Sequence, residues 1–148
     1  MAVGLEQQNT VSVAQGAIAL VGNPNTGKTT LFNALTGMSQ RVGNFPGVTV
    51  ERKSGRMQVG DGTSLEVIDL PGAYSLSAQS PDEMIAVDVL LGLLSDETPI
   101  QGVIAVLDAS NLKRNLYLVS QMLELNLPVV VALNMSDVAR ARGIDIDA

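Results

Sequence analysis

The residues with the clearest chemical purpose are Gly22-Asn23-Pro24-Asn25-Thr26-Gly27-Lys28-Thr29, which fit G-x-x-x-x-G-K-[ST] at every fixed position. Glycines let the backbone fold around a phosphate chain and turn successive N–H groups toward it. A helix beginning at this point adds the partial positive charge of its N-terminus. Lys28 can reach a β- or γ-phosphate, and the Thr29 hydroxyl can ligate Mg²⁺. Thr30 follows in the same first turn.

Two further sites follow in an order that gives the first one meaning. Asp69-Leu70-Pro71-Gly72 has the form D-x-x-G at the end of an apolar run. An aspartate there can hold Mg²⁺, and the Gly72 N–H can face a γ-phosphate; an aspartate before Pro-Gly is also an ordinary turn residue. Thr49 stands between the two motifs, where its hydroxyl can complete a Mg²⁺ shell or simply belong to a strand. Asn134-Met135-Ser136-Asp137 has the form N-x-x-D. A carboxylate at Asp137 can accept two hydrogen bonds from the N1 and N2 edge of guanine, a donor pair adenine lacks, and an unpaired carboxylate penalises the wrong base. Asn134 would touch the base and brace the phosphate loop, and Met135 would stack on the base through apolar contact. Either Asn134 or Asp137 could instead cap a helix.

The elements that must carry these residues can be read from periodicity. Ala17–Val21 is a short apolar run that suits a buried strand, and Thr29–Leu35 has helical spacing with Gly37 placed to stop it. Gln40–Gly47, with Gly43, Asn44, Pro46 and Gly47, reads as a loop. Val48–Val59 and Leu65–Leu70 read as antiparallel strands around the turn dipeptide Asp61-Gly62. Ser80-Pro81-Asp82-Glu83 is a helix start with a capping box, and the helix is expected to run to about Leu94. Val103–Leu107 reads as a buried strand and Val129–Leu133 as a near-continuous apolar strand, on either side of a helix over Asn111–Leu125. Met1–Gly16 reads as a polar tail, with a short strand at Thr10–Val13. This alternation implies an α/β fold whose sheet is mostly parallel, with one antiparallel strand pair.

Composition removes other chemistries. The 148 residues include no cysteine and no histidine, which excludes disulfides, thiolate metal sites, a cysteine nucleophile and the Ser-His-Asp triad. A net charge of −6 disfavours a nucleic-acid surface. No run reaches the ~18–20 apolar residues of a membrane span: Ile85–Leu94 is broken by Asp88 and Gly92, and Leu127–Leu133 contains Pro128. The N-terminus lacks the layout of a signal peptide, so the chain reads as a soluble cytosolic piece.

Gly22–Phe32, Gln40–Lys53 (QRVGNFPGVTVERK), Asp69–Ser75, Asp108–Leu118 (DASNLKRNLYL) and Asn134–Asp137 together resemble the Ras-like P-loop GTPases, and more closely the G domain of the FeoB family of bacterial ferrous-iron transporters. The likeness covers residues 17–148. It implies a GTP- and GDP-binding, slowly GTP-hydrolysing switch for Fe²⁺ uptake on the cytoplasmic face of the inner membrane, partnered by a membrane-embedded transport domain. It assigns phosphate contacts to Gly22–Thr30, Mg²⁺ to Thr29, Thr49 and Asp69, and guanine to Asn134, Met135 and Asp137. Lys28, Thr49 and Gly72 become the candidate catalytic residues. An asparagine at position 25 implies K⁺ beside the phosphates; a plain turn residue is the other reading.

This chain departs from Ras after Gly72, where Ala73 replaces the glutamine that orients water, so hydrolysis is expected to be slow. Arg41 is a candidate internal finger or a solvated loop charge. Val138–Ala148 is too short for the last strand, last helix and guanine-backing loop of such a domain. The expectation is therefore a G domain cut short, with Val129–Leu133 as a sheet edge prone to self-association or domain swapping. Two other functions remain compatible with the motifs. One is an RNA- or ribosome-associated assembly GTPase, which would usually bring a basic extension; the other is a nucleotide-binding module with little catalysis.

Overall fold

The computed structural model describes residues 13–147 apart from positions 61 and 96. The chain runs β1 (Val13–Gly22), α1 (Lys28–Thr36), β2 (Gln40–Asn44), β3 (Glu51–Gln58), β4 (Ser64–Asp69), α2 (Pro81–Leu90), β5 (Ile100–Asp108), a 3-10 turn (Ala109–Asn111), α3 (Leu112–Leu123), β6 (Val129–Asn134) and α4 (Ser136–Ala141). The six strands form one sheet in the order β2-β3-β4-β1-β5-β6. β1 pairs in parallel with β4 and β5, and β6 pairs in parallel with β5, while β3 pairs antiparallel with β2 on one side and with β4 on the other. The α/β sheet expected from the alternation is present.

Period-two alternation on the central strands explains the layering. Ala17, Ala19 and Val21 of β1 point into one core with Ile85, Val89 and Leu90 of α2 and Leu118 and Met122 of α3. Leu20, between them, points to the other face and packs with Phe32 of α1, Val67 and Val106. Both faces of the central strands are therefore covered, which is why their sequences are nearly continuous apolar runs.

Several boundaries differ from the sequence expectation. Residues 40–44, read as a loop, form the exposed strand β2, so the antiparallel part has three strands and two pairings instead of one pair. Its residues are all exposed and carry no apolar alternation, so only the hydrogen bonds to β3 reveal it. α4 follows the N-x-x-D motif, as the helix-cap reading allows, but its N-cap is Met135 and not Asn134 or Asp137; it is a single short helix whose one buried residue is Ala139. α2 ends at Leu90, before Leu94, because the chain turns left-handed at Gly92. β1 begins at Val13, four residues before Ala17; residues 1–12, and with them most of the Thr10–Val13 strand, fall outside the described residues. Between β3 and β4, Gly62 is left-handed and its N–H donates to the Val59 carbonyl at 2.9 Å, while Asp61 of the expected turn dipeptide falls outside the described residues.

The start of α2 forms as its sequence demands. The Glu83 N–H donates to Ser80 Oγ at 3.2 Å, the Ser80 N–H donates to Glu83 Oε2 at 3.2 Å, and Pro81 occupies the first turn. β6 is the outermost strand on its side of the sheet, with Val130 63% and Val131 45% exposed.

Candidate functional site

Parallel pairing brings the loops together. Leu20 of β1 sits beside Asp69 of β4, Gly22 beside Val106 of β5, and Asp108 of β5 beside Asn134 of β6. The three motifs therefore leave the sheet at the same carboxyl edge, where ligands of open α/β sheets bind.

The phosphate loop is held by close approaches. A Cβ on Gly22 would meet the Val106 carbonyl oxygen at 2.6 Å, so no larger residue fits there. Asn25 and Gly27 both adopt left-handed backbone, at φ 64° and φ 81°. Thr26 is buried, and its hydroxyl donates to the Asn23 carbonyl at 3.0 Å. Asn23 is itself 3% exposed, and neither polar atom of its side chain has a partner among the described residues. Pro24 and Asn25 are exposed.

Gly27 is the N-cap of α1 and has no side chain to cap it; the first turn holds no acidic residue. The N–H groups at the start of that helix are thus left for an outside acceptor. Thr29 and Thr30 are exposed in this turn. Lys28 Nζ donates to Asp69 Oδ1, and both side chains are nearly buried. The sequence assigned these two residues to phosphate and cation, and the fold places them in contact.

The D-x-x-G segment packs directly on the phosphate loop. A Cβ on Gly72 would lie 3.2 Å from backbone and ring atoms of Pro24, and the Ala73 N–H donates to the Gly22 carbonyl at 3.1 Å. Ala73 is wholly buried, so at this position a small residue fills a packing role. A cleft of about 200 Å³ opens beside these groups, lined by Lys28, Val50, Glu51, Lys53, Asp69, Leu70, Pro71 and Asp82. Thr49 is not brought to it. That threonine is exposed on a turn closed by the Phe45 N–H to the Val50 carbonyl at 3.0 Å and anchored by buried Phe45. Arg41 is exposed on β2 and does not line the cleft.

At the other end of the site, Asn134 Nδ2 donates to the Thr26 carbonyl at 2.8 Å. Met135 is left-handed at φ 57° and serves as N-cap of α4, which leaves Asp137 exposed in the first turn. The N-x-x-D motif is thus both a brace for the phosphate loop and a helix start, with its carboxylate free at the surface.

Sequence reading passed over one cluster. Arg52, just after the Thr49 turn, donates through Nε to Glu97 Oε1 at 2.7 Å, through Nη1 to Ser54 Oγ at 2.7 Å and through Nη2 to Glu66 Oε1 at 3.1 Å. Thr98 Oγ1 donates to the second Glu66 oxygen at 3.0 Å. Burial alone would lower the Arg52 pKa, but its hydrogen bonds to Glu97 and Glu66, with the attraction of their negative charge, outweigh it and leave the value raised. The one available signal was a basic residue inside a strand with acids far away in sequence.

The sheet order, with a phosphate loop, a D-x-x-G turn and an N-x-x-D turn along one carboxyl edge, defines the P-loop G-domain class. The family profile described as ferrous iron transport protein B matches residues 16–148. The chain belongs to that family, FeoB, and corresponds to its N-terminal G domain.

Relatives agree with this placement. The Fe(2+) transporter FeoB of Legionella pneumophila (strain Lens) is 55% identical over 132 residues, covering 86% of this chain and 17% of the relative. Its counterpart in Staphylococcus aureus (strain COL) is 51% identical over 128 residues, covering 86% and 18%. Among solved structures, the cytosolic domain of L. pneumophila FeoB is 54% identical at TM-score 0.80, covering 88% of this chain and 50% of that one. The cytosolic domain of the T. maritima FeoB iron transporter, in a GDP form, is 44% identical at TM-score 0.81, covering 91% and 51%. A variant of S. thermophilus NFeoB bound to mGDP is 51% identical at TM-score 0.79, covering 90% and 48%. This chain therefore spans about half of those cytosolic domains and under a fifth of the transporters. No helix among the described residues is long and apolar enough to cross a membrane.

Proposed function

We propose that this chain binds GTP and GDP with Mg²⁺, hydrolyses GTP slowly, and serves as the cytosolic nucleotide switch of a ferrous-iron transporter at the bacterial inner membrane. The observation that carries the reading is the uncapped start of α1 beside Lys28 and Asp69. Open N–H groups, a left-handed loop and one lysine make an anion cradle suited to a phosphate chain.

Among the described residues, no group of three or more His, Cys, Asp or Glu side chains gathers to hold a metal. A cation here would draw most of its shell from phosphate and water, which suits Mg²⁺. Thr29, Asp69 and, after its turn moves inward, Thr49 are the residues that would hold it; the ion supplies charge neutralisation at the β- and γ-phosphates. Lys28 would leave Asp69 for the phosphates. The Gly72 N–H would donate to the γ-phosphate, and Asp137 would accept from guanine. In hydrolysis, water attacks the γ-phosphorus in line with the bond to GDP, which leaves as the diphosphate. Buried Ala73 offers that water no side chain, which supports a slow rate. Asn25, exposed and left-handed in the loop, is the candidate K⁺ ligand.

Family membership favours an iron-transport role over an RNA-associated one, and the membrane-embedded domain of the parent chain is the proposed partner. The open edge of β6 supports self-association of the isolated chain by strand pairing or exchange of an element; a monomer in scattering at high concentration would refute that part. The nucleotide reading is tested by displacement of a fluorescent GDP analogue with Mg²⁺ present. GDP should compete and ADP should not; failure of both, or equal competition, overturns it. Single-turnover hydrolysis with and without K⁺ then separates a switch from a module with little catalysis.

A further inference from the structure

The segment from Asp69 to Ser80 leaves the phosphate edge and returns to α2, and two side chains of α3 hold its middle. The Arg114 guanidinium carbon lies 4.5 Å from the centroid of the Tyr74 ring. The Leu76 N–H donates to Gln121 Oε1 at 2.7 Å, and Gln121 Nε2 donates on to the Tyr117 hydroxyl at 3.5 Å. Arg114 and Gln121 stand two helical turns apart, so they share one face of α3. At its near end, the segment is tied to the phosphate loop through Ala73 and Gly72.

We propose that Arg114 and Gln121 are positioning residues, a clamp that holds the Tyr74–Leu76 segment on α3 and thereby sets the preference of the site between nucleoside diphosphate and triphosphate. The proposal rests on the nucleotide reading above. In this reading, the Gly72 N–H meets a third phosphate by moving off its present seat against Pro24. Tyr74 is only two residues further along and Leu76 four, so a shift of Gly72 is passed directly to the part of the segment that α3 holds. The movement therefore costs the contacts with α3. The arrangement here, with Gly72 seated against Pro24, is the one the clamp favours. A restraint that favours one arrangement weakens only the ligand that requires the other. The two contacts suit a reversible device: a partly exposed cation–π stack and a single neutral hydrogen bond each shift a population by about two- to fivefold.

The test is titration of GDP and of a non-hydrolysable GTP analogue against the unmodified chain and its Arg114→Ala, Gln121→Leu and Gln121→Glu variants, with circular dichroism to verify folding. The first two variants should bind the analogue about two- to fivefold more tightly with GDP affinity unchanged. Gln121→Glu keeps an acceptor for the Leu76 N–H and should show no gain. Tyr74→Ala should reproduce the gain of Arg114→Ala, and combining the two should add nothing. An unchanged ratio of analogue to GDP affinity, or equal changes in both, overturns the clamp while leaving the nucleotide reading intact. If the unmodified chain binds neither nucleotide, the nucleotide reading falls and the clamp falls with it.

Discussion

Asn134 and Thr26, 108 residues apart in the chain, are joined by a 2.8 Å hydrogen bond from the Asn134 side-chain amide to the Thr26 carbonyl. The bond ties the end of β6 to the loop that precedes α1. The same amide fills the space where a Gly27 side chain would stand: a Cβ there would lie against Asn134 Nδ2. The base-side motif and the phosphate-side motif are therefore one packed unit.

Asn134→Ala is expected to lower stability by about 1 kcal/mol and to weaken GDP binding, because the Thr26 carbonyl loses its donor. Asp137→Ala should leave stability within ~0.5 kcal/mol, since Asp137 is exposed, while removing the preference for GDP over ADP. Denaturant midpoints and competition titrations separate these outcomes.

Gly27→Ala meets two obstacles at once: a left-handed backbone at φ 81° and the Asn134 amide. The backbone cost alone is about 1 kcal/mol, and displacement of Asn134 adds to it. A lower melting temperature together with lost GDP binding is expected. Gly37→Ala, left-handed but with open space around it, should cost stability without touching nucleotide affinity.

Arg52→Met removes the shared partner of Glu97, Glu66 and Ser54. The expected loss is about 2 kcal/mol, below the ~3–5 kcal/mol of a fully buried pair because Glu66 retains solvent contact. The Arg52 pKa is raised on folding, so its contribution is complete below the unfolded value and fades only as pH rises through the folded one, in strongly alkaline solution. The difference in unfolding free energy between the two proteins should stay constant from neutral to mildly alkaline pH.

Thr49→Ala should not change stability by more than ~0.5 kcal/mol, because the side chain is exposed. It should slow Mg²⁺-dependent GTP hydrolysis at least tenfold if the Thr49 turn closes over the site. Equal rates would remove Thr49 from the catalytic set.

The chemistry was legible from local patterns because each motif is a contiguous run whose backbone does much of the work. Gly22–Thr29 encodes a left-handed loop and an uncapped helix start within eight residues, and Ser80–Glu83 encodes its own capping box. The alternating apolar runs likewise announced a covered sheet. β2 escaped notice because Gln40–Asn44 is exposed throughout and is a strand only through its pairing with β3. α4 showed only as a possible helix cap at Asn134 or Asp137, because one buried alanine makes no periodic signal.

What the sequence alone determined is which groups can bind phosphate, a cation and guanine, since those follow from residue type and short-range spacing. Only the tertiary structure decided which of them meet. Parallel pairing of β1, β4, β5 and β6 brought Lys28 to Asp69 and Asn134 to Thr26, and it left Thr49 outside the cleft. The Arg52 cluster and the α3 contacts to Tyr74 and Leu76 belong to the same class. Each joins residues tens of positions apart, and no spacing rule reaches that far, because their proximity is set by the packing of whole strands and helices.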